Sequence, residues 1–144
     1  MFWSKKEALA GEAGDLPQQV AAEAEGLYRS GKMHCAEAVL AATRNNFAAD
    51  VPEEVVQLAG GFGGGSGAGC ICGAVAGGSM GFGLALKGNK RAASGLTREL
   101  HRWFREEYGA ACCKIITANG KSGCPALTGR VAGKVAELLM EQGA

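Results

Sequence analysis

Six cysteines stand at Cys35, Cys70, Cys72, Cys112, Cys113 and Cys124 in a chain of 144 residues. Thiolates bind zinc and iron–sulfur clusters, and paired thiols cycle with a disulfide. The richest stretch is Cys72-Gly73-Ala74-Val75-Ala76-Gly77, just after the run Gly61-Phe62-Gly63-Gly64-Gly65. Cys35, Cys72 and Cys124 each fall at or just before an expected helix start, and Cys113 is placed to do the same. Unpaired N–H groups and the positive dipole end favour a thiolate at such positions. If the four starts face one spot, Cys35, Cys72, Cys113 and Cys124 form either a set of metal ligands or a set of redox-active thiols.

The spacing does not choose between these chemistries. No Cys-x-x-Cys pair, zinc-ribbon pairing or haem-attachment run occurs. Cys70 and Cys112 add local thiols beside Cys72 and Cys113 without completing a standard ligand run. His34 is adjacent to Cys35 but lies about 100° away around a helix, which suits a surface residue. His101, between Glu99, Arg102 and Arg105, reads as a solvated helix residue. The glycine run lacks the Gly-Lys-Ser/Thr ending of a phosphate loop, and no nucleophile–histidine–carboxylate or paired-carboxylate arrangement is discernible.

These thiols must be positioned by helices. Pro17 suits a helix start, with Val20, Ala24, Leu27 and Tyr28 on one stripe and Gly31 as the stop. A second helix is expected over residues 33–47, with Cys35 and Val39 on one face. Asp50-Val51-Pro52-Glu53 has the pattern of a capping box and predicts a short helix ending at Gly60-Gly61. Twelve of the 24 glycines lie between Gly60 and Gly83. Each glycine inside a helix costs about 0.8–1.0 kcal/mol relative to alanine, so this density needs a packing reason. In a helix from Cys72 to Leu86, Gly73, Gly77 and Gly81 share one face and admit a neighbouring backbone. Gly73 and Gly77 would then also lie against any cofactor the thiols bind.

After a turn over residues 87–90, Leu96, Leu100, Trp103, Phe104 and Tyr108 form the stripe of a long amphipathic helix that ends at Gly109. The run from Cys112 to Ile116 fits one helical turn or a short strand. Pro125 begins the last helix, whose buried face is Leu127, Val131, Val135, Leu138 and Leu139. No segment alternates with period two, so the expected fold is all-α, a single-domain helical bundle around a Gly-rich central helix. Residues 1–16 are expected to be a flexible N-terminal tail and residues 17–144 the helical domain.

With 15 basic and 14 acidic residues the net charge is +1, which gives no electrostatic basis for nucleic-acid binding. Residues 55–86 carry no charge, but they are mostly small, so a buried central helix explains them better than a membrane span. Charges within the first thirty residues interrupt any run of signal-peptide length. The expected location is therefore cytoplasmic, with reduced thiols. The glycine face would also suit pairing of two copies of the chain.

In combination these motifs resemble the redox-active C-GCAxxG-C-C family. Its Cys-Gly-Ala-x-x-Gly motif corresponds to Cys72–Gly77, flanked by Phe62-Gly63-Gly64-Gly65 and Gly81-Phe82-Gly83-Leu84. Its other signature cysteines correspond to Cys35, Cys113 and Cys124, over a match from about residue 25 to 140. Cys70 and Cys112 lie outside the signature. The resemblance implies redox activity, a redox partner and a helical redox domain. The motif is also similar to an iron–sulfur-bearing domain fused to some multihaem cytochromes. That implies an iron–sulfur cluster for electron transfer, with structural zinc, or no metal and thiol–disulfide cycling, as alternatives.

Overall fold

The computed structural model describes residues 16–144, so the expected tail lies outside the described residues except for Leu16, which already belongs to the first helix. Six α-helices follow in order: α1 (Leu16–Arg29), α2 (Cys35–Phe47), α3 (Gly73–Ala85), α4 (Lys90–Tyr108), α5 (Cys113–Ile116) and α6 (Cys124–Glu141). A 3-10 helix (Glu53–Ala59) and a wide π-type turn (Gly65–Gly69) occupy the link between α2 and α3. Among the described residues no strand forms, and the architecture is an all-α bundle.

Helix α3 is mostly apolar and is packed by α2, α4 and α6, with Ala76, Ser79, Met80 and Gly83 left partly exposed. Its glycines set how closely those neighbours come. A Cβ at Gly77 would run into the Ala36 carbonyl, one at Gly73 into the Cys35 sulfur, and one at Gly81 would lie 2.8 Å from Cγ2 of Thr43. The face predicted from spacing is thus the α2–α3 crossing, with Gly77 at its closest backbone approach. Helix α6 repeats the device towards α1. A Cβ at Gly129 would stand 2.9 Å from the Ala21 carbonyl oxygen, and one at Gly133 3.2 Å from that of Pro17.

Val20, Val39, Val75, Phe82, Leu100, Phe104, Val131, Val135 and Leu139 fill the space between the helices and are fully buried. Side chains of this size each contribute about 1.5–3 kcal/mol on burial. Two residues expected on the α4 stripe, Trp103 and Tyr108, are only half-buried. They hold α6 by another route. The Arg130 guanidinium lies 5.7 Å from the Trp103 ring centre and 5.4 Å from that of Tyr108. It also donates to the Tyr108 hydroxyl at 3.1 Å and to Glu107.

The capping box at Asp50 does not form. Pro52 is itself the residue before the 3-10 helix, with φ −56° and ψ 141°. That extended backbone places the helix start after Pro52, beyond reach of an Asp50 cap, and Asp50 instead faces Lys87 at 3.9 Å. The start of α4, in contrast, is capped by the Asn89 side chain, which accepts from the Ala92 N–H at 3.2 Å.

Two glycines of α3 should respond oppositely to substitution. Gly77→Leu must overpack the α2 backbone and is expected to lower unfolding free energy by about 1–3 kcal/mol or more. At Gly83 an added Cβ meets nothing within 4 Å, so Gly83→Ala should raise it by about 0.4–1 kcal/mol. Urea unfolding of both variants checks the contrast; equal effects would mean that the crossing is not close-packed.

Candidate functional site

The four helix starts that carry signature-type cysteines open onto one hollow. Cys35 and Cys113 are the first residues of α2 and α5, Cys124 begins α6, and Cys72 caps α3. All four line a single cavity of about 60 Å³, together with Tyr28, His34, Gly73, Lys121 and Thr128. Pockets for organic ligands usually run to about 300–1,000 Å³. This cavity has room for a few waters, an ion or a small inorganic centre. Gly77 lies one turn deeper in α3 and is not among the lining residues.

A backbone clamp places two of the thiols. The Cys72 N–H donates to the Ala111 carbonyl at 2.8 Å, and the Cys113 N–H donates to the Cys70 carbonyl. Ile71 and Cys112 thereby form an isolated antiparallel bridge. The run from Cys112 to Ile116 is therefore a bridge residue followed by a helical turn, so both expectations hold in part. Side chains alternate across such a bridge, which puts Cys72 and Cys113 on the side opposite Ile71 and Cys112. Cys112 donates its S–H to the Gly69 carbonyl at 3.0 Å, and Cys70 is exposed. Neither lines the cavity.

Two glycines make room for sulfur. Gly73 has no Cβ where one would collide with the Cys35 sulfur. Gly65, at φ +69°, holds a left-handed turn against Cys113, whose Cβ would sit 2.7 Å from a Cβ added there. Here the conformation and the space both demand glycine.

Burial dominates the electrostatics. It pushes the Cys72 thiol up to about 12, against N–H groups of Ala74 and Val75 that favour the thiolate, with Cys35 and Cys113 adding to the rise. Burial also raises Cys35, opposed by the Gly64 and Ala36 N–H groups and reinforced by Cys124 and Cys113. Cys124 is raised by burial and by Cys113, while a hydrogen bond with Tyr28 and the Lys121 charge pull it down. The helix-start N–H groups do not offset desolvation at Cys35 and Cys72, so a cation among the sulfurs would favour the thiolates of Cys35, Cys72 and Cys124.

Among the described residues, no group of three or more His, Cys, Asp or Glu side chains stands in the arrangement of a metal-ion site. The thiols line the cavity wall rather than already meeting at a point. His34 is exposed at the rim, with its ring against Gly63. His101, expected in solvent, is half-buried; burial, then Arg105, holds its pKa below the ordinary value, and it does not reach the cavity. Tyr28 and Thr128 were not singled out from the sequence as site residues. Tyr28 read as a stripe residue of α1, and nothing local marks Thr128, one turn past Cys124.

Residues 33–138 match the family model described as "Putative redox-active protein (C_GCAxxG_C_C)". The chain belongs to that family. The match spans all four cavity cysteines and the Cys72–Gly77 motif, so the family's signature and the cavity fall on the same residues. No curated protein and no solved structure matches the chain.

The raised thiols give the metal-free chain a pH-dependent stability. Above the ordinary thiol value of 9.0 the unfolded chain releases the Cys72 proton, while the folded chain holds it up to about 12. The native state then binds more protons than the unfolded state, so stability is full below pH 9 and falls as pH rises towards 12. The slope is at most about 1.4 kcal/mol per pH unit for each such thiol. Urea unfolding across this range should show a decline that Cys72→Ser reduces; a decline unchanged in that variant would rule the thiol out as its source.

Proposed function

We propose that Cys35, Cys72, Cys113 and Cys124 hold a small iron–sulfur or other metal centre, and that the protein transfers electrons in a reducing, cytoplasmic setting. The observation that carries this reading is the lining of one small cavity by four thiols from four separate helix starts. The donor set fits, since the four proposed ligands are thiols and no carboxylate lines the cavity; thiolates favour iron–sulfur clusters and zinc. The missing Cβ at Gly73 and the N–H groups at the starts of α2 and α3 also suit a cradle for negatively charged sulfur. Bound there, an iron–sulfur centre would supply one-electron storage. The chain's own part is to turn the sulfurs inward, screen them from water and donate backbone hydrogen bonds to them. No described helix is long and apolar enough to cross a membrane.

A second reading rests on Cys124. It is half-buried, and although burial and Cys113 raise its pKa overall, Lys121 and Tyr28 oppose that rise, which makes it the candidate attacking thiol in metal-free dithiol–disulfide cycling. Cys72, held protonated to about pH 12, is a poor attacker.

Anaerobic incubation of the reduced protein with iron and sulfide, followed by visible absorbance and iron and zinc analysis, separates the readings. The first expects a coloured, iron-containing protein, bleached by reductant, whose chromophore is lost in Cys35→Ser, Cys72→Ser, Cys113→Ser and Cys124→Ser and kept in Cys70→Ser and Cys112→Ser. A colourless protein with stoichiometric zinc would make the site structural. A metal-free protein that loses two thiols on mild oxidation would establish the disulfide cycle instead.

A further inference from the structure

Thr128 is a cavity residue whose polar side chain the arrangement above leaves unexplained. It sits on α6 one turn after Cys124, is fully buried, and lines the thiol cavity. Its hydroxyl oxygen has no hydrogen-bond partner among the described residues. Buried threonines in helices usually donate to the carbonyl four residues back. Thr43 in α2 does so, donating to the Val39 carbonyl at 2.8 Å, and Thr117 donates to the Cys113 carbonyl at 2.7 Å. Thr128 does not. A buried hydroxyl without a partner costs about 1–3 kcal/mol, and a valine or alanine would fill the same space without that cost. The unpaired donor therefore marks a place where an acceptor belongs.

The cavity chemistry says which kind of acceptor. The other polar groups at the wall are four thiols, the Tyr28 hydroxyl, His34, Lys121 and Thr117, and no carboxylate is present. Tyr28 faces Cys124 and favours its thiolate. An occupant held by the thiols presents sulfur, either cysteine thiolate or inorganic sulfide, and carries negative charge that grows on reduction.

We propose that Thr128 is a positioning residue whose hydroxyl donates a hydrogen bond to sulfur of the occupied centre, stabilising its reduced state. This rests on the metal-centre reading of the same cavity and adds a residue outside the cysteine signature that sets the reduction potential. Hydrogen bonds to cluster sulfurs are one of the levers on that potential. The one-electron step adds one electron to the centre from an external reductant, and the hydroxyl keeps its proton throughout.

The test compares wild type, Thr128→Val and Thr128→Ser in two states of the full chain. In the iron- and sulfide-loaded protein, Thr128→Val should lower the ratio of reduced to oxidised centre at a fixed ambient potential by about tenfold, which is about 59 mV for one electron. Thr128→Ser should restore most of the ratio. In the metal-free protein, Thr128→Val should unfold at the same or a higher urea concentration than wild type, because an unpaired hydroxyl has been removed. A potential unchanged in Thr128→Val overturns the proposal. So does a loss of metal-free stability, which would show the hydroxyl already bonded within the protein. If wild type takes up no iron, the iron–sulfur reading fails by itself, and metal-free stability decides whether the hydroxyl is held for an occupant of another kind.

Discussion

Everything at the thiol end depends on how closely the backbones of α2 and α3 approach. The approach is possible because Gly73, Gly77 and Gly81 present no side chain to Cys35, Ala36 and Thr43. Leucines at this crossing would hold the helix axes at the ordinary separation of about 8–10 Å, and the start of α2 would move away from that of α3. Cys35 and Cys72 belong to those two starts, so the distance between the helices sets the distance between the thiols. The glycines are thus a spacing device for sulfur, and the helix propensity they sacrifice is offset by the packing of α3 on three sides.

A second constraint opposes the first. Tight packing removes water from the sulfurs, and burial pushes the Cys72 thiol up to about 12, so the site disfavours charge there. The N–H groups at the starts of α2 and α3 pull the other way without prevailing. Such a site is poorly suited to a permanently ionised nucleophile. Any cation bound there would be linked to deprotonation of the sulfurs.

Much of this was legible in the sequence, where the signal was local or periodic. The i, i+4 spacing of Gly73, Gly77 and Gly81 predicts a close crossing, Pro17 and Pro125 mark helix starts, and Gly109 ends α4 at φ +82°. Four cysteines at helix starts announced a shared site, though not that one hollow would hold them. What escaped was set by tertiary contact. Asp50 had a capping-box pattern, yet Pro52 kept the chain extended past it. Gly129 and Gly133 carry the same spacing as the α3 glycines, but among the large apolar residues of α6 that spacing does not stand out in the sequence. Tyr28 and Thr128 sit on helix faces that read as core, and only the assembled bundle turns them towards sulfur.

The Ile71–Cys112 bridge and the docking of α6 on α1 also govern the order in which the site comes into being. Cys35 and Cys72 emerge early in synthesis, yet the clamp on Cys72 requires Ala111, and the final wall requires Cys124 and Thr128. A nascent chain that has cleared the ribosome only as far as α4 would display two thiols with no enclosure around them. Closure awaits α6, which packs on α1, the first of the described helices. Long-range pairing of this kind is the slow part of folding. Until α6 has docked, Cys35 and Cys72 lack the wall that screens them from solvent and oxidants.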